Sequence, residues 1–170
     1  MKRDTKLHLA HSVGKRIDMV ADYLIWKISQ ILSPPTFRDP LEVYTDGNPQ
    51  YETCFPVYFR KDCLIYGRVI KHKKNGKLVY RTKEKVFRNP NFEDIDTTVI
   101  ENYNGVLRER ISRLVRRSKC FSKKRIRYEH HLDIFQAYNN FMKQENEKTP
   151  IMKEGKVNRI WQWNDFFMYR

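Results

Sequence analysis

Hydrophobic positions along the 170-residue chain change their period several times, and each change marks an element. In "KLHLAHSVG", Leu7, Leu9, His11 and Val13 alternate with their neighbours, which predicts a strand ending at Gly14. From Ile17 to Leu32 the spacing lengthens. Val20, Tyr23, Leu24, Ile28, Ile31 and Leu32 recur at helical intervals, and the prolines of "SPPTFRDP" stop that helix and form a linker. "LEVYTDGN" is a short apolar strand running into an Asp-Gly turn, which leaves Asp46 at the strand's C-terminal end. "CLIYGRVIKHKKNGKLVYRTKEKVF" then holds two strand-like runs around Asn75-Gly76, the residue pair best suited to a two-residue hairpin.

Beyond the hairpin the period becomes helical again. Val99, Ile100, Tyr103, Val106, Leu107, Ile111, Leu114 and Val115 fall on one half of a long helix. Acidic "EDIDTT" precedes it and cationic "RSKCFSKK" ends it, as the helix dipole favours. A last helix is expected from about Tyr128 to Gln144, with Leu132, Phe135, Tyr138 and Phe141 on one stripe. The tail, about 145–170, is rich in aromatics without a clear period and is expected to pack on its own domain or a second subunit. The sum is one domain over residues 1–170, an α/β layer structure with a mixed sheet flanked by helices.

Charge adds a partner to this outline. Lys and Arg number 34 against 20 acidic residues, a net charge of +14, which calls for a polyanion. Nucleic acid is favoured over a membrane surface, since no apolar run approaches the roughly 20 residues that cross a bilayer and "MKRDTKLHLAHS" lacks a signal peptide's apolar block. A cytoplasmic location follows as the expectation. Cys54, Cys63 and Cys120 are odd in number and far apart, so they are expected to be reduced thiols and not a disulfide framework or zinc site.

Two carboxylates stand out. Glu101 lines up with Arg108 and Ser112 just beyond one border of the long helix's apolar half. From there it could reach another element while still meeting metal and water. An equally open reading makes Thr98-Val99-Ile100-Glu101 a capping box, with the glutamate bonded back to the cap. Asp46 likewise has an ordinary reading as a turn residue before glycine. Taken together in a strongly basic chain, the pair suits metal-assisted phosphoryl transfer, because hard divalent cations prefer oxygen ligands.

The densest basic stretch runs through Arg108, Arg110 and Arg113 to Arg116 and Arg117, and on to Lys119, Lys123 and Lys124. Only Glu109 offsets it, so DNA contact is favoured over a solvated helix face, with binding directed mainly at phosphate. The hairpin adds His72, Lys73, Lys74, Lys77, Arg81, Lys83 and Lys85, which read equally well as an edge-protecting ribbon or as a groove-binding one.

"VYTDGNPQY" and "IDTTVIENYNGVLRERISRLVRRSKCFSKK" resemble the catalytic core of transposases of the insertion-sequence-one family, closest to its archaeal members, and the likeness extends more weakly over nearly the whole chain. The resemblance implies an RNase H-like fold and a DDE site binding Mg2+ or Mn2+. Asp46 matches the second acidic ligand, Glu101 the third, and Arg108 the basic position that contacts DNA near the cut. It further implies DNA partners, both transposon ends and target, and a homo-oligomer in a prokaryotic cytoplasm. In that family the first aspartate lies on a strand upstream of "TKLHLAHSVGKR", so an N-terminally truncated core missing its first strand is expected; Asp4, in the "KRDT" turn, is a poor replacement. The alternative is a catalytically dead DNA-binding remnant that dimerises with or inhibits an intact transposase.

Overall fold

The helical spacing after Ile17 becomes helix α1 (Asp18–Ser29) in the computed structural model, which describes residues 1–114, 119 and 123–169. Two compact units are present, one of residues 14–102 and one of residues 1–13 with 103–170.

In the first unit α1 is followed by strand β1 (Leu41–Asp46), helix α2 (Gln50–Tyr58) and the hairpin strands β2 (Leu64–Lys74) and β3 (Lys77–Phe87). The sheet order is β1-β2-β3, with β1 parallel to β2 and β2 antiparallel to β3, so the sheet is mixed as expected. Asn75 and Gly76 close the hairpin with φ of 52° and 75°, the left-handed values that a two-residue turn requires.

One sheet face carries the core. Alternation sends Leu41 and Val43 of β1 and Leu64 and Tyr66 of β2 to the same side, where they meet Ala21 and Ile25 of α1 and Cys54 and Phe55 of α2. Ile25, Leu64 and Tyr66 are almost wholly buried, and each such side chain contributes about 1.5–3 kcal/mol over its exposed state. Helix α2 was not anticipated. Its stretch opens on turn-forming Asp-Gly-Asn-Pro and contains Pro56, a helix breaker, but Pro56 sits in the last turn while Cys54 and Phe55 fill the core. Cys54 and Cys63 are buried free thiols.

The second unit corrects three expectations. Residues 6–14 form no strand. The backbone there is bonded to side chains instead of to a neighbouring strand: the His8 N–H donates to Asn140 Oδ1 at 2.9 Å, Asn140 Nδ2 donates to His8 O at 2.9 Å, and Gln136 Nε2 donates to both His8 O and Leu9 O. The long helix is also shorter than its pattern suggests. Helix α3 covers Thr98–Arg110 and gives way to a 3-10 turn at Ser112–Leu114, with Ile111 at the break almost fully buried. Helix α4 (Arg125–Ala137) starts and ends earlier than expected and passes into a wide π turn, Tyr138–Met142.

Two short helices, α5 (Pro150–Lys153) and α6 (Trp163–Met168), complete the chain. The aromatic tail packs within its own unit. Trp161 lies 4.6 Å from Phe141, ring centre to ring centre, and donates its backbone N–H to Phe141 O, while Trp163 stacks on Tyr138. Glu145 is held by Lys6 and Lys153, which depress its carboxyl to about 2.

Candidate functional site

The sheet face away from α1 and α2 is built by the opposite set of alternate residues. Asp46 faces Val69 across the parallel pair, Gly67 and Lys71 flank Val69 on β2, and Lys71 is opposite Arg81 on β3. The chain returns over this face before α3. Ile95 is fully buried, and a Cβ added to Gly67 would come within 2.6 Å of its side chain, so only glycine admits the close approach. Lys83 fixes the same return by donating to Phe92 O at 2.7 Å.

That return sets Glu101, in the first turn of α3, above β2 and β3. Lys71 Nζ lies 2.6 Å from Glu101 Oε1 and the Arg81 guanidinium 3.5 Å from Oε2. Thr97 Oγ1 donates to Oε1 at 2.6 Å. The Lys71 ammonium first, and the Thr97 hydroxyl second, hold the Glu101 carboxyl below the usual carboxylate range. Of the two readings open for Glu101, the capping box is not the one adopted. Thr98 is the first helical residue, its N–H and hydroxyl both donate to Asp96 Oδ1, and Glu101 turns toward the sheet.

Asp46 is exposed at the C-terminal end of β1, and its Oδ1 accepts a long 3.4 Å contact from the Asn48 N–H. It lies one strand across and two residues back from Lys71, a Cα separation on the order of 8 Å by sheet spacing. The two carboxylates that the sequence singles out therefore share one face. Lys71 and Arg81 are the partners of Glu101 that the sequence did not reveal: Arg81 stands there only among the hairpin's cations, and Lys71 is not singled out.

The oxygen donors suit a hard cation, which takes one or two protein carboxylates and completes its shell with water and phosphate. Asp46 is open to solvent and Glu101 is kept ionised. A cation approaching Glu101 shares it with Lys71 and Arg81 or displaces them. Among the described residues no group of three or more His, Cys, Asp or Glu gathers at one place.

The basic stretch is partly in view. Arg108 and Arg110 are exposed at the end of α3, Arg113 is exposed in the 3-10 turn, and Lys123 and Lys124 are exposed ahead of α4. Arg116 and Arg117 lie outside the described residues. No helix among the described residues is long and apolar enough to cross a membrane. Compared with protein-family models, with curated proteins and with solved structures, the chain matches none.

Proposed function

We propose that the chain is the catalytic part of a DNA transposase of RNase H-like architecture, which cleaves DNA at element ends and transfers the strands to a target. The observation that carries this reading is the placement of Asp46, at the end of a parallel strand, and Glu101, in the first turn of a helix, over one face of a mixed sheet. The resemblance in the two motifs and the +14 charge support it.

Asp46 and Glu101 would hold Mg2+ or Mn2+, and such an ion polarises a scissile phosphate and lowers the pKa of bound water. The chain's own groups do the rest. Lys71 and Arg81 neutralise Glu101 in the free protein and, released from it, present two cations to a phosphodiester beside the carboxylates. Exposed Arg108, Arg110 and Arg113 supply charge that draws the polyanion in. A DNA-associated homo-oligomer belongs to the same proposal.

The test is magnesium-dependent cleavage and strand transfer on element-end DNA. Asp46→Asn and Glu101→Gln should each lower the rate by about 100-fold or more. Full activity in either variant would end the reading.

A second reading has its own observation. With Glu101 already paired to two cations and bonded to Thr97, its carboxylate looks satisfied without metal. On that basis the chain would be a DNA-binding remnant that pairs with or inhibits an intact transposase. It predicts salt-sensitive binding without nicking, so robust metal-dependent nicking by this chain would remove it.

A further inference from the structure

The β2–β3 hairpin extends past the site as a surface that is left exposed among the described residues. Strand β3 is the sheet's edge, and Lys77–Lys83 are exposed. At the tip, Lys74 is directly opposite Lys77, with Lys73 beside them opposite Leu78. These three lysines have no ion pair or hydrogen bond among the described residues. Like charges placed opposite each other destabilise a ribbon, and a nearby anion relieves that repulsion.

Behind the lysines lies a flat aromatic step. The His72 and Tyr80 rings stack with centroids 4.2 Å apart and planes 14° from parallel, and a 2.9 Å bond between the His72 ring and Thr82 Oγ1 braces them. Tyr80 is 55% exposed, and Val79 on the same strand 59%. A ribbon that only guards an edge needs its charges but gains nothing from an ordered ring pair held in water.

We propose that the tip of this hairpin is a contact for duplex DNA, with Lys73, Lys74 and Lys77 set against phosphates and the His72–Tyr80 step against the groove wall. The inference rests on the reading of DNA as partner and gives that partner a second surface, separate in sequence from the arginines after Glu101. A two-stranded ribbon has the width that a B-form major groove admits, and three cations at its end match the spaced anions on the groove's rims. Tyr80 and Val79 would lie against sugars and thymine methyl groups. The contact is phosphate-directed and carries little base reading.

Fluorescence anisotropy of the full chain on a labelled mixed-sequence duplex, titrated over a range of salt, tests this. In the triple variant Lys73→Gln, Lys74→Gln, Lys77→Gln, the slope of log K against log salt should become shallower by about 2–3, close to one unit for each phosphate that is no longer neutralised. Tyr80→Ser should weaken binding several-fold with the slope unchanged, because it removes no charge. All these side chains are exposed, and an unaltered circular dichroism melt checks that each variant is folded. An unchanged salt slope in the triple variant overturns the hairpin contact. So does tighter binding of a single strand of the same length, which would make the rings a platform for unpaired bases. Failure of the unmodified chain to bind any duplex would sink the DNA reading itself and the hairpin with it, whereas binding with an unchanged slope in the triple variant sinks the hairpin alone.

Discussion

Two polar clusters, one in each compact unit, solve the problem of partly buried polar groups in opposite ways. Around Glu101 the solution is ionic: a half-buried carboxylate is matched by the Lys71 ammonium and the Arg81 guanidinium, all three with some access to water. Around His8 it is neutral. The His8 side chain is 5% exposed, its Nδ1 lies 2.9 Å from the Tyr103 hydroxyl, and its backbone is clasped by Asn140 and Gln136. Burial first, and the neighbouring His11 second, push the His8 pKa down to about 3, and burial pushes the Tyr103 phenol up. Ionic partners near water can be exchanged for another ion at modest cost, whereas neutral partners in a dry core cannot. The first cluster can exchange its partners, and the second holds the chain.

That contrast breaks most sharply at Asn140. Its amide serves both the N–H and the carbonyl of His8, and it is itself buried. Asn140→Ala should cost about 3 kcal/mol, because a buried backbone N–H loses its acceptor and a small cavity opens. A denaturant melt showing less than about 1 kcal/mol would mean that water replaces the amide and that the cluster is not dry. On the sheet unit the nearest counterpart is Gly67→Ala. The added methyl meets the fully buried Ile95, so about 2 kcal/mol should be lost, and a chemical shift change at Glu101 should report the displaced chain return.

The hydrophobic pattern revealed elements whose stability is local and missed those that depend on distant side chains. Helix α1 and the Asn75-Gly76 hairpin lie where spacing and turn chemistry put them. The segment around His8 alternates like a strand, yet its backbone partners are side chains more than 120 residues away, a form of pairing that no local pattern encodes. Helix α2 was hidden by its Asp-Gly-Asn-Pro entry and by Pro56. At the site, Asp46's position at a strand end was legible, and so was Glu101 at the border of an apolar helix face. The partners of Glu101 were not. A regular two-residue hairpin with Lys74 opposite Lys77 would set Lys71 against Tyr80, but an irregularity between His72 and Lys73 shifts the register by one residue. That shift places Arg81 beside Lys71 and stacks Tyr80 on His72, so one bulge creates both the cation pair over Glu101 and the aromatic step.

The His8 cluster makes a prediction about acid. A histidine whose folded pKa lies below its unfolded 6.5 stays neutral in the native state while the unfolded chain takes up a proton. Stability therefore falls as pH drops below about 6.5, by at most about 1.4 kcal/mol for each pH unit, and the loss levels off near the folded value. His8→Gln should flatten the stability profile between about pH 4 and 6. Identical slopes for variant and parent would place His8 in water.

Lys71→Met should have the smallest effect on stability and the most informative one on the site. The ammonium is the largest cause of Glu101's depressed pKa, so its removal should raise that pKa toward the ordinary value, measured by following the Glu101 side-chain carboxyl carbon in a pH titration by NMR. A carboxylate with a depressed folded pKa contributes stability above its unfolded pKa and loses it as pH falls through the folded one. The variant should therefore show a weaker loss on the acid side and, near neutrality, a change within about 1 kcal/mol, since both groups are about a third exposed. Magnesium sharpens the outcome. If Lys71 occupies a place that a divalent cation can take, Lys71→Met should strengthen the magnesium-induced shift of the Glu101 signal, while Glu101→Gln abolishes the response at neighbouring residues. If the lysine only neutralises a structural carboxylate, its removal should leave Glu101 with a raised pKa and no added response to the metal, and the ionic cluster would then be as much a fixture of the fold as the neutral one.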